Sequence, residues 1–358
     1  MFNIFPFCFS VLYYLFHSIV ILIFQALIPV AFYSVLERKI MASVQRRRGP
    51  NVVGFWGSLQ AAADGVKLMA KEGIYPRGIL FSVYVFAPIF ALVVSFTCWI
   101  FLPVGSSSVL FDSEIGVLLF FAFSSLGVYS VLLAGWASYS KYAIMGALRA
   151  VAQLISYEVV LLLMLFPPAL LAGTMSLAGI VEAQSYQGWY VFTCLPTAMM
   201  FYVIMLAETN RTPFDLPEAE AELVSGFNVE YSSITFAFFF LAEYCNMILM
   251  ATLFTTIFLG GWSDSLFLFT LKIILICYSF VFVRALLPRF RYDQLISLCW
   301  EVYLPLGLGF ATLALGITSS ISFSTPVPYS ILLEYTHQET LPYINAYFTP
   351  KHSGEVFM

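Results

Sequence analysis

Six acidic residues and a single arginine lie between Glu208 and Glu230, in the connector AETNRTPFDLPEAEAELVSGFNVE. Carboxylates this close repel one another, cannot all ionise at their ordinary pKa values, and titrate as a coupled group. A small displacement of a nearby charge could then load or release a proton. Pro217 suits the first position of a helix, which would put Glu218, Glu220 and Glu222 in turns where the helix dipole favours negative charge. Capping accounts for one or two of them, not for six acids within 23 residues. Two more carboxylates interrupt apolar runs: Glu158 in LISYEVVLLLMLF and Glu243 in FAFFFLAEYCNMILMATLF. An ionised side chain at mid-bilayer costs about 2.5–3.5 kcal/mol on insertion scales, so both should face the protein interior. Burial without a cationic partner favours the protonated form, and such a group could change charge near neutral pH. A neutral, hydrogen-bonded acid that ties helices together is the plainer alternative.

The elements that must position these acids are membrane helices. The chain has 358 residues, 61% hydrophobic and only 10% charged, with a mean hydropathy of +0.90. That exceeds what a soluble core of this size needs. A spanning helix takes about 20 mostly apolar residues. Eight stretches qualify, near Phe9 to Leu36, Ile79 to Leu102, Ile115 to Ala137, Val151 to Ala172, Trp189 to Leu206, Ser233 to Leu259, Leu266 to Leu287 and Val302 to Ile321. They are long and continuous, unlike the alternating segments of about 10 residues in a membrane barrel. The sequence therefore predicts an all-α polytopic membrane protein, with residues 1–325 as one transmembrane domain and 326–358 as an irregular, proline-containing tail. The first span begins close to Met1 without a basic leader or a cleavage pattern, and is expected to remain as an anchor.

Eight spans place both termini on one side and four connectors on the other. Those four, residues 37–78, 138–150, 207–232 and 284–301, hold 14 of the 16 Lys and Arg residues. The positive-inside rule assigns them to the cytoplasmic or matrix face. The first of them carries eight basic residues, and from Trp56 to Lys71 its apolar residues Leu59, Ala63, Val66 and Met69 recur at helical spacing. This predicts an amphipathic interfacial helix with Asp64, Lys67 and Lys71 on its polar side. Lys272, near the start of the seventh span, is expected to snorkel to the opposite interface. The six cysteines form no CxxC pair and the three histidines lie near the ends, which leaves no ligand set for zinc or an iron-sulfur cluster. There is no dinucleotide fingerprint and no P-loop. Any metal, flavin or iron-sulfur centre is expected to belong to another chain.

Glu37-Arg38-Lys39, Gln45, Arg47 to Asn51, Gln60, Ala63-Asp64, Lys67-Leu68 and Lys71-Glu72 resemble the quinone-site membrane subunits of respiratory complex I. Glu208 to Arg211, Pro213 to Leu216, Glu218 to Glu222, Ala242 to Tyr244 and Arg289 to Gln294 resemble the same family, over about residues 20–310. Glu301 after Trp300 departs from the lysine that the family commonly shows. The resemblance implies that the amphipathic helix and the tops of several spans form much of a ubiquinone tunnel, with the acids starting a path toward proton-pumping subunits. Carried over residue by residue, Arg38, Arg47, Asp64, Lys67, Arg211, Phe214, Arg289 and Asp293 are quinone-side candidates. Glu37, Glu158, Glu208, Asp215, Glu218, Glu220, Glu222, Glu243 and Tyr244 are proton-path candidates.

On this reading the chain is a subunit of a proton-translocating NADH:ubiquinone reductase and binds ubiquinone as substrate, at an interface with other subunits. Its expected partners are the iron-sulfur-cluster subunit and the quinone-site hydrophilic subunit on the matrix side, small membrane subunits that lead to antiporter-like ones, and membrane lipids, with no nucleic acid. The expected location is the mitochondrial inner membrane or, in a bacterium, the plasma membrane. Other readings share part of the pattern: the membrane subunit of a related hydrogenase, a stand-alone proton or ion transporter, and an assembly scaffold without chemistry.

Overall fold

The computed structural model describes residues 26–105, 110–215 and 226–324, the side chains of 321–324 excepted. Helices are the only regular structure among them. In chain order they are α1 (Ile28–Val44), α2 (Gln60–Ala70), α3 (Phe81–Phe101), α4 (Gly116–Ala137), α5 (Lys141–Ala172), α6 (Leu177–Gln187), α7 (Leu195–Glu208), α8 (Ser233–Phe258), α9 (Leu266–Leu286), α10 (Tyr292–Ser297) and α11 (Leu304–Ser324). A π-helical stretch, Leu298–Tyr303, joins the last two. Among the described residues, six helical stretches are long and apolar enough to cross a membrane: α3, α4, α5, α8, α9 and Tyr292–Ser320. The protein is a multi-pass, all-helical membrane protein.

Hydropathy located the helices better than it located their ends. α1 runs on past Leu36 to Val44, so Glu37, Arg38 and Lys39 sit on a helix and not in a connector. α5 starts at Lys141, ten residues before the predicted span, because Ser140 Oγ accepts from the Ala143 N–H at 3.2 Å and caps it there. Gly173 ends α5 at φ 71, with its N–H on the Ala169 carbonyl at 2.9 Å. The stretch predicted from Trp189 divides into a single turn, Tyr190–Thr193, and α7, whose 14 residues begin beside Pro196. α2 begins at Gln60, not Trp56, and buries none of its residues: Leu59, Val66 and Met69 are all exposed. The apolar stripe is real, but nothing in the described part of this chain covers it.

α8 is the central column. Every residue from Met247 to Phe258 is buried, as expected for a helix that is apolar on all sides. Glu243 and Tyr244 occupy the last turn before that stretch, where the apolar core gives way to polar neighbours. α4 and α5 approach closely through small residues, since a Cβ on Gly135 would stand 2.3 Å from the Ala147 Cβ. Below them a short turn, Gly226–Asn228, presses on α5, and Tyr84 of α3 stacks on Tyr231 at 4.2 Å. The chain divides into two compact units, one ending at Thr312 and the other beginning at Leu313. The predicted tail of 326–358 lies outside the described residues.

Lys272 does not release its charge to an interface as free snorkelling would. It is 9% exposed, with Nζ on the Leu259 carbonyl at 2.7 Å, on Asp264 at 2.8 Å and over the Trp189 ring at 4.2 Å. The α8–α9 turn supplies all the partners except the ring.

A Cβ on Gly146 would stand 2.7 Å from the Gly226 Cα, backbone that cannot rotate away. Gly146→Ala is expected to cost about 1–3 kcal/mol by overpacking. Gly65→Ala on α2, which would meet nothing within 4 Å, should cost nothing. Thermal unfolding in detergent should show a lower Tm for the first variant alone.

Candidate functional site

The loop after α7 is the frame of the site. Gln153, fully buried on α5, donates from Nε2 to the carbonyls of Ala207 at 2.8 Å and Phe214 at 2.9 Å, and so spans both ends of the loop. Phe214 is buried, stacked on Phe290 at 5.6 Å and packed beside Tyr157. The Phe290 N–H donates to the Pro213 carbonyl at 3.0 Å. Between these anchors the chain turns Arg211 inward.

Arg211 is 6% exposed and faces two carboxylates. Its Nη1 donates to Glu37 at 3.2 Å, and its Nε lies 3.6 Å from Glu243 and 3.0 Å from the Met247 sulfur. The guanidinium carbon stands 4.9 Å over the Tyr244 ring. Tyr244 donates to the other Glu37 oxygen, and Arg284, in the last turn of α9, also donates to Glu37. Tyr33 packs edge-on against Tyr244 at 5.6 Å. Burial alone would push the Arg211 guanidinium down, but Glu243, then Glu37 and Tyr244, more than reverse this and leave it raised. Arg211 is therefore a permanent positive charge. With Arg284 it gives two cations against two carboxylates, the balance that a buried cluster requires.

Glu243 also lines a cavity of about 110 Å³ bounded by Glu208, Asn210, Asn228 and Asn246. Glu208 Oε2, Asn210 Oδ1 and Asn228 Oδ1 are buried with no hydrogen-bond partner among the described residues. The lining is otherwise mostly apolar, with Val94, Val131, Leu154, Phe227 and Leu249 in it, so the orphaned oxygens mark where a water would find partners. Glu158, half-buried on α5, lies within electrostatic reach of Glu208. Glu158 acts electrostatically on Glu208, Glu208 and Glu243 line one cavity, and Glu243, Arg211, Glu37 and Arg284 are joined by ion pairs.

The sequence candidates divide unevenly over this geometry. Glu37, Glu158, Glu208, Glu243 and Tyr244 come together, and Arg211, a quinone-side candidate, stands in their midst. Asp215 is apart from them, paired with Arg289 at 3.0 Å, with its Oδ1 unpartnered among the described residues. Arg38 and Asp64 pair at 2.6 Å between α1 and α2, with Gln60 also on Asp64 at 3.1 Å. Arg47 and Lys67 are exposed, and Asp293 pairs with Arg291 on the surface. Glu218, Glu220 and Glu222 lie outside the described residues. Phe214 is buried in the core and is not among the residues that line the cavity beside Glu243.

Sequence reasoning missed Arg284, Met247 and the amides of Asn228 and Asn246. Arg284 had a usable signal: an arginine in the last turn of an apolar helix needs either solvent or an acid. It also treated Glu243 as a carboxyl without a cation, whereas Arg211 stands beside it.

The sequence profile of the family described as NADH dehydrogenase matches residues 17–315. A relative named NADH-ubiquinone oxidoreductase chain 1, from Chondrus crispus, is 46% identical over 86% of this chain and 97% of its own length. One of the same name from Arabidopsis thaliana is 49% identical over 80% of this chain and 91% of its own. A bacterial relative, named as a subunit of NADH-quinone oxidoreductase and found in Rhodospirillum rubrum, is 49% identical over 80% of this chain and 88% of its own.

Arg211→Met would leave the half-buried Glu243 without its guanidinium and Glu37 with Arg284 as its cation, and is expected to destabilise the protein by up to roughly 3–5 kcal/mol. Adding Glu243→Gln removes the stranded charge and should restore part of that loss. Thermal unfolding of single and double variants measures this, and equal losses would show that charge balance is not what Arg211 provides.

Proposed function

Because the chain belongs to the NADH dehydrogenase family, we propose that it is the membrane subunit of a proton-translocating NADH:quinone oxidoreductase that forms part of the ubiquinone chamber and couples quinone reduction to proton movement. It acts in the mitochondrial inner membrane as a multi-pass subunit of eight spans, with its basic connectors on the matrix side, both termini on the other, and α2 lying in the interface. The exposed apolar stripe of α2 supports that placement.

The electrons come from an iron-sulfur cluster held by a neighbouring subunit. This chain contributes a wall, charges and protons. Reduction of ubiquinone to ubiquinol takes two electrons and two protons, so the chamber gains negative charge before it is neutralised. Arg38, Asp64, Arg47 and Lys67 on the α1–α2 side, with Arg289 and Asp293 at the last inside connector, set the potential around the headgroup. Arg211 transmits the change because its charge is fixed and shared between Glu37 and Glu243. A greater demand for positive charge on the Glu37 side weakens the hold on Glu243, which can then take a proton from Glu208 across the shared cavity. Glu158 supplies the far end of the path. Small membrane subunits carry the response on to antiporter-like ones.

The observation that carries this reading is a single buried arginine shared by two carboxylates, one of which opens on a cavity with a third. In intact complex, Glu208→Gln keeps the shape and removes the titratable proton. Quinone reductase turnover is expected to fall by about 10²-fold or more, the lower end of what a positioned proton donor contributes. Turnover at the wild-type rate in a fully assembled Glu208→Gln complex would leave the chain a scaffold.

A further inference from the structure

The loop after α1 carries cations for which neither the ion-pair cluster nor the carboxylate cavity has a use. From Arg38 up to Asp64 the sequence holds five basic residues, Arg38, Lys39, Arg46, Arg47 and Arg48, and no acid. Arg38 is neutralised by Asp64, and Arg47 is tied to Gln45 at 2.7 Å. Arg48 is exposed and makes no ion pair among the described residues. With Lys39, Gly49, Pro50, Asn51 and Trp56 it lines an open pocket of about 200 Å³.

The backbone fixes the shape of this pocket. Gly57, at φ 75, lies so close to Pro50 that a Cβ would stand 2.3 Å from the Pro50 carbonyl oxygen, and a Cβ on Gly49 would come within 3.1 Å of the Lys39 Cα. Trp56 is held at φ 56, a left-handed conformation uncommon for a bulky residue, and Lys39 donates to its carbonyl. Residues persist there only where their surroundings over-determine them, and they gather at ligand sites. One of the three Lys39 N–H donors is used; two remain. At the rim Phe55 and Trp56 stack at 5.7 Å, exposed by 82% and 68%, beside Val52 at 94%.

Two cations with spare donors inside and an aromatic ledge outside complement a phosphate that is attached to apolar chains. We propose that this pocket binds the phosphate of an anionic phospholipid, with Lys39 and Arg48 on the phosphate oxygens and the Phe55–Trp56 ledge against the upper acyl region. Free inorganic phosphate would satisfy the cations and leave the ledge uncovered. The proposal rests on the topology given above, because lipid reaches the pocket only where the end of α1 lies at the membrane surface.

The test uses intact complex in vesicles of phosphatidylcholine, alone or mixed with phosphatidylglycerol. Each lipid is supplied in turn as an analogue photoreactive near the headgroup, and label is mapped on residues 48–56. The phosphatidylglycerol analogue is expected to label this segment in preference to the neutral one. Arg48→Ala should lower that labelling about fivefold, the effect of one basic residue at an anionic surface, and Arg48→Lys should keep most of it. Inorganic phosphate should compete no better than chloride of equal ionic strength. Equal labelling by both analogues, or an unchanged Arg48→Ala, overturns the headgroup site while leaving the topology intact. Labelling by neither overturns the topology and the site with it. Competition specific to inorganic phosphate identifies a free-anion site, and crosslinks from this segment to another subunit in place of lipid show a protein cover; either result overturns the lipid reading.

Discussion

Charges can be buried in an apolar bundle only in compensated sets, and the placement of Arg211 between Glu37 and Glu243 meets that constraint. The elements that bring the set together are far apart in sequence: α1 gives Glu37, the loop after α7 gives Arg211, α8 gives Glu243 and Tyr244, and α9 gives Arg284. Removing any one leaves an uncompensated charge or a broken loop anchor. Gln153 matters for the same reason, since it holds the carbonyls on either side of Arg211. The cluster is thus both a staple for four segments and a point where charge on one segment is felt by the others.

A fixed cation shared by two titratable acids converts a change of charge into a change of proton affinity. Arg211 cannot neutralise itself, so any new negative charge near Glu37 competes with Glu243 for the same guanidinium. In the proposed mechanism the cavity beyond Glu243 is the route, since Glu208 and the amide oxygens of two asparagines line it without other partners among the described residues. The buried stretch from Met247 to Phe258 continues α8 beyond the cluster, and its Leu249 and Met250 form part of the cavity wall.

Much of the fold was legible in the sequence, since long apolar runs report burial in lipid or core directly. The acids at 158 and 243 were legible as well, because a carboxylate inside such a run contradicts its surroundings, and Glu208 stood out as one of six acids in a single connector. The partners were not. Hydropathy is blind to which helix face meets which, so nothing in it joins Arg284 or Met247 to the cluster. Phe214 shows what a motif leaves unsaid: its ring packs beside Tyr157 and stacks on Phe290, neighbours that no motif spacing predicts. Helix ends were misplaced wherever a local cap overrode hydropathy, as Ser140 does for α5, or where a helix continued into charged sequence, as α1 does through Glu37.

Infrared difference spectra of intact complex, recorded on quinone reduction, observe the carboxyl groups themselves. The account predicts a protonated-carboxyl band that appears or shifts with reduction, moves in deuterated water, and is lost separately in Glu208→Gln and in Glu243→Gln. A difference spectrum with no carboxyl signal, or with one that both substitutions leave unchanged, would contradict it.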